Sequence, residues 1–238
     1  GGREVRTGPC DRTWARTCGA RLVQLARRGE IARKDKITIR MKTLTEAAFL
    51  AWADRAGLCL DPQYPQSAVL TFRPDPQQDR FWEVPVEPER RPYFLLTFLE
   101  LIGEWQECYA WRHMGSWPAF ADPLRINDVV EWQILKGLGL PLGTADVVTF
   151  ERAELDKLVT LMFSTTIFGW SVGDDLYVVP DHARYIVQTD HHNVIHVSFR
   201  RSAEVHEWVK TMEERGFPLP DDLPDSTFKM PDWIRRDP

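Results

Sequence analysis

The sequence predicts an α+β fold: an antiparallel sheet, including a C-terminal β-meander over about residues 165–200, packed against several helices. Three observations carry this. β-rich runs beginning at Leu176, Arg184 and Val194 are separated by two polar turns, Asp181-His182-Ala183 and Asp190-His191-His192-Asn193. Turn residues between Val/Ile/Tyr/Phe runs are the signature of antiparallel hairpins. Long apolar stripes recur at helical spacing, the widest through Phe94, Leu95, Phe98, Leu101, Ile102, Trp105 and Tyr109. Helix stops are marked by Gly57 and Gly216.

Taken in order, residues 1–40 read as a basic leader, disordered or outside the native protein, because they are Arg-rich and the first Met is Met41. Thr43-Leu44-Thr45-Glu46 has the form of a capping box and opens a helix through Ala56. Residues 58–66 read as a Pro-bearing loop. Residues 68–72 and 81–86 read as strands, and Pro85 restricts the second to a sheet edge. Pro92 begins a helix expected to run to Arg112, since Pro is tolerated in a first turn. Asn127 is placed to cap a helix over 128–137. A further helix is expected over about 149–163, followed by a β-rich run over 165–170 and a hairpin turn at 171–175. Ser202 is placed to cap a last helix over 203–215. Residues 41–220 thus form one domain, and residues 221–238, rich in Pro and Asp, an extended tail.

Composition narrows the function. The chain carries 30 Lys and Arg against 35 Asp and Glu, a formal net charge of −5. That average hides an asymmetry, because residues 1–40 hold 11 basic against 4 acidic residues and the remainder 19 against 31, a net of −12. No nucleic-acid partner is expected for residues 41–238, since such proteins present a basic face. No apolar run reaches the roughly 20 residues of a membrane span, so no membrane is expected. Cys10, Cys18, Cys59 and Cys108 show no metal-ligand spacing and suit the reducing cytoplasm. No G-x-S-x-G elbow and no glycine-rich phosphate cradle occurs.

Five of the six histidines fall between His182 and His206, so acid–base or metal chemistry would lie there. The candidate binding residues are Asp190, His191, His192 and His196. Asp190-His191-His192 follows a strand and resembles, over these three residues, the DHH phosphoesterases, in which such a motif helps ligate a divalent pair. The aspartate-rich motif those enzymes carry near an N-terminal strand has no counterpart upstream. A strand of about six residues spans roughly 20 Å, which separates His182 from the other histidines. The strand alternation puts Ile195, Val197 and Phe199 on the core face and His196, with Val194 and Ser198, on the other. The simplest reading of Asp190 and Asn193 is a turn closed by local backbone hydrogen bonds.

The sequence therefore predicts a soluble, cytoplasmic, non-enzymatic protein-binding module with an acidic surface, immunity-like in composition, whose partner is a basic protein. No cofactor and no metal is expected. The competing expectation is a metal-dependent hydrolase built on Asp190, His191, His192 and His196, with Asp174, Asp175 or Asp181 as further carboxylates.

Overall fold

Seven antiparallel strands form the main sheet, in the order β1-β6-β5-β7-β8-β9-β4, and two more form a small hairpin, β2-β3. This computed structural model describes residues 41–61, 69–73, 78–112, 117–119, 126–172, 175–190 and 193–220. The expected leader and tail, Asp174, His191 and His192 lie outside them. The chain divides between Ile39 and Arg40 into two units, and every described residue belongs to the second. Along the chain run β1 (Lys42–Leu44), α1 (Glu46–Arg55), β2 (Leu58–Leu60), β3 (Leu70–Phe72), β4 (Gln78–Glu83), α2 (Arg91–Ile102) and β5 (Cys108–Arg112). They are followed by α3 (Ile126–Leu138), β6 (Val147–Phe150), α4 (Leu155–Val172), β7 (Leu176–Pro180), β8 (Tyr185–Asp190), β9 (Val194–Phe199) and α5 (Ser202–Glu214). The α+β class is as the sequence predicts.

The sheet is covered on both sides, and strand alternation decides what each side meets. Cys108, Ala110, Leu176, Val178, Ile195, Val197 and Phe199 point to the first face, where they join Phe94 and Phe98 of α2, Leu158 and Met162 of α4, and Trp208 of α5. Their neighbours Tyr109, Trp111, Tyr177, Val179 and Ile186 point to the second face and pack on Phe49 and Ala53 of α1 and on the β2–β3 hairpin. The second cover reaches only part of the sheet. Past β8, the second face turns polar.

Several elements differ from the sequence reading, each for a physical reason. The helix expected over 92–112 stops at Ile102, where Gly103 takes a φ of 83°. Residues 108–112 are a strand buried on both faces, and such a strand lacks the polar alternation that would separate it from a helix. Residues 147–150 are likewise a fully buried strand, so the helix expected from 149 begins at Leu155. The β-rich run over 165–170 belongs to α4 instead. There Ser164 Oγ and Thr165 Oγ1 donate to the Leu161 carbonyl at 2.8 and 3.1 Å, and Thr166 Oγ1 donates to that of Phe163 at 2.8 Å. Back-bonding to the previous turn lets these hydroxyls sit in a helix. The meander therefore begins at Leu176, not near 165.

The loop expected from 58 begins as β2. The first cap is Thr45, whose hydroxyl accepts from Ala48 N, because Thr43 is already paired in β1. Asn127 and Ser202 fall inside the first turns of α3 and α5, and α5 has no side-chain cap. Pro85 does mark an edge: β4 ends at Glu83 and lies last in the sheet.

Candidate functional site

One cross-strand row organises the second face. Trp111, Tyr177, Gln188, His196 and Phe81 stand opposite one another in register across β5, β7, β8, β9 and β4. Side chains in register on one face touch, so the row is a continuous ribbon. Trp111 and Tyr177 lie under α1 and the hairpin. From Gln188 outward the ribbon becomes polar. On one side of it lies the row Asp190, Val194, Glu83, and on the other Ile186, Ser198, Asp79.

Hydrogen bonds knit this patch around His196. Gln188 Nε2 donates to Asp175 Oδ2 at 2.8 Å, and an ionised carboxylate only accepts, so the Gln188 amide is oriented. Its Oε1 consequently faces His196 Nδ1 at 3.2 Å, which places the ring proton on Nδ1. The other nitrogen, Nε2, lies 3.2 Å from Asp79 Oδ1 and 3.5 Å from Ser198 Oγ. With the ring proton on Nδ1, Nε2 accepts from the Ser198 hydroxyl. The ring is also stacked against Phe81.

This is not a nucleophilic triad. There the serine and carboxylate oxygens occupy opposite ring nitrogens, whereas here Ser198 and Asp79 share Nε2. Ser198 is also only 2% exposed, out of reach of an attacking geometry.

The candidate residues separate accordingly. Asp190 and His196 share the second face, two positions apart across the β8–β9 ladder. His191 and His192 lie outside the described residues. Asn193 takes a φ of 63° and its N–H donates to the Asp190 carbonyl at 3.3 Å, the local turn bond the sequence suggests. Among the described residues no group of three or more His, Cys, Asp or Glu is placed to hold a metal ion. A metal taken up at His196 Nδ1 would have to displace Gln188.

The other turn serves the fold. Asp181 Oδ2 accepts from the N–H groups of Gln106 and Glu107 at 3.2 and 3.3 Å, tying the turn to the entry of β5. Arg184 N–H donates to His182 Nδ1 at 3.2 Å, so the proton sits on Nε2, which meets the Ile102 carbonyl at 3.3 Å. Burial, with the nearby Arg184 charge, holds the His182 imidazole below its ordinary pKa.

Asp175 links the patch to the helix side. With Arg112 and Glu131 it borders a cavity of about 10 Å³, the size of one water molecule. Arg112 and Glu131, whose side chains are each 9% exposed, pair there at 3.9 Å. The sequence reading had not joined Asp79, Phe81 and Gln188 to His196. The alternation Asp79, Phe81, Glu83 along one strand face was the available signal, but nothing local ties that strand to β9.

No protein-family model, curated protein or solved structure matches the chain, so the site stands on its geometry. No helix among the described residues is long and apolar enough to cross a membrane.

Proposed function

We propose that the chain is a soluble, cytoplasmic protein-interaction module that meets a basic partner through the polar half of the sheet's second face. One observation carries the reading. The three rows around His196 bring Asp79, Glu83 and Asp190 onto one face with Phe81 among them. Carboxylates around an aromatic ring suit Lys or Arg side chains, whose charge and apolar stem find matching surface. The net of −12 over residues 41–238 adds long-range attraction for a basic surface. The thiols of Cys59 and Cys108 support the cytoplasmic placement.

Selection of a displayed random-peptide library on the full chain tests this. Enriched peptides should be rich in Lys and Arg, bind more weakly as salt rises, and lose affinity for the Asp79→Asn, Glu83→Gln double variant. Enrichment without basic residues, or binding indifferent to salt and to both substitutions, would end the reading.

A further inference from the structure

We infer that a hollow on the first face of the sheet, between β4 and α5, binds a small carboxylic acid with an apolar body. The inference does not depend on the second face or on the partner proposed there. The hollow measures about 370 Å³, a volume typical of small-molecule sites. Two periodicities build its walls. Gln78 and Arg80 alternate onto the first face, opposite Phe199 and Val197, whose side chains join the core. On α5, Ser202, Val205, His206 and Val209 follow the spacing i, i+3, i+4, i+7 and so share one flank of the helix. Trp208 and Met212 on the adjoining stripe are buried in the core. Leu219, from the segment after α5, lines the same hollow.

The lining divides by chemistry. Val205, Val209 and Leu219 belong to the core or pack against it, and they offer the ligand an apolar floor. Among the described lining residues, Arg80 carries the one fixed charge. Its Nη1 donates to the Asp79 carbonyl at 2.6 Å, and it makes no ion pair with a described residue. A guanidinium is a planar fork of five donors that fits a carboxylate in two parallel bonds, and the carbonyl occupies only Nη1. Further donors come from the first turn of α5, which has no side-chain cap and holds Ser202. Uncapped first-turn N–H groups favour an anionic acceptor.

A carboxylate suits this lining better than a phosphate ester. One fixed positive charge matches one negative charge, whereas a phosphate ester carries about −1.5 to −2 at neutral pH. Residues 41–238 already sum to −12, which penalises the extra charge. The apolar floor in turn asks for a ligand with hydrocarbon attached, because a bare anion would leave it wet.

Titration of the full chain with sodium hexanoate, read on the methyl resonances of Val205, Val209 and Leu219, tests the inference. These methyls should shift and saturate below about 10 mM, the affinity open to so small a ligand. Hexanamide lacks the charge and acetate lacks the apolar body, and each should bind about tenfold more weakly. Arg80→Gln should bring hexanoate down to the level of hexanamide and leave hexanamide unchanged. Absence of saturable shifts, or equal binding of hexanoate and hexanamide, would overturn the inference. Equal binding of acetate would do the same, by reducing the site to a bare anion contact. Hexanoate binding untouched by Arg80→Gln would place the anion elsewhere and overturn it too. The three ligands are compared on the unaltered chain, so a variant that misfolds would leave those outcomes decisive.

Discussion

The phenyl ring of Phe81 lies flat on the imidazole of His196, with ring centroids 4.4 Å apart and planes 8° from parallel. Carbon-bound protons of His196 held over that ring should resonate upfield of ordinary histidine positions. Phe81→Ala should move them downfield and cost about 1–2 kcal/mol in urea melts, from lost aromatic contact and burial. Unchanged His196 resonances in the variant would show that the two rings are not stacked in solution.

Gln188 is 8% exposed, and both ends of its amide are engaged. Gln188→Leu keeps the bulk but leaves Asp175 and His196 facing carbon. Stability should fall by about 1–3 kcal/mol, the range for stranding buried polar partners. A neutral result by denaturant titration would mean that solvent already serves both groups.

Phe98 and Leu101 share α2 but not its environment. Phe98 is fully buried against Trp82, Phe94 and Trp208, whereas Leu101 is partly buried. Phe98→Ala should cost about 3–5 kcal/mol and Leu101→Ala distinctly less. Equal losses in the two melts would contradict this packing.

His182 makes stability depend on pH in a definite direction. Burial lowers its pKa in the folded chain, so the unfolded chain binds the proton more readily. Its neutral form supports the fold fully above the unfolded value of about 6.5. The contribution is lost as pH falls from there through the lowered folded value. The His182 resonances should titrate with a midpoint below 6.5, and a midpoint at or above that value would refute the burial argument. In His182→Gln, stability should fall less between pH 6.5 and 5.

Sequence pattern was sufficient where one side of an element meets solvent or a turn residue intervenes. In Val194 to Phe199 the polar His196 and Ser198 fall between apolar residues, and the structure puts Ile195, Val197 and Phe199 in the core and His196 on the other face. Pro85 likewise identified the edge strand. The pattern misled at 108–112 and 147–150, where both faces are covered and the polar alternation of a half-buried strand is missing. It also misled at 165–170, where Thr and Ile favour strands but packing holds a helix in which the hydroxyls of Thr165 and Thr166 are satisfied by the previous turn. Of the site, His196 and its face were legible. Its neighbours were not, because Asp79 and Phe81 arrive from a strand far earlier in the chain, and pairing at that distance leaves no local trace.

The strand order has a kinetic corollary. The meander β7-β8-β9 joins sequence neighbours and can form as soon as it is made. β4, by contrast, has its pairing surface on β9, so Glu83 must wait for Val194 to leave the ribosome. β1 waits in the same way for β6. Both borders of the sheet thus close late, across long loops whose entropy must be overcome before contacts reward them, which makes folding slow. During that delay the meander would expose β9's bonding edge, and nascent chains crowded on one message would be exposed to pairing with each other there.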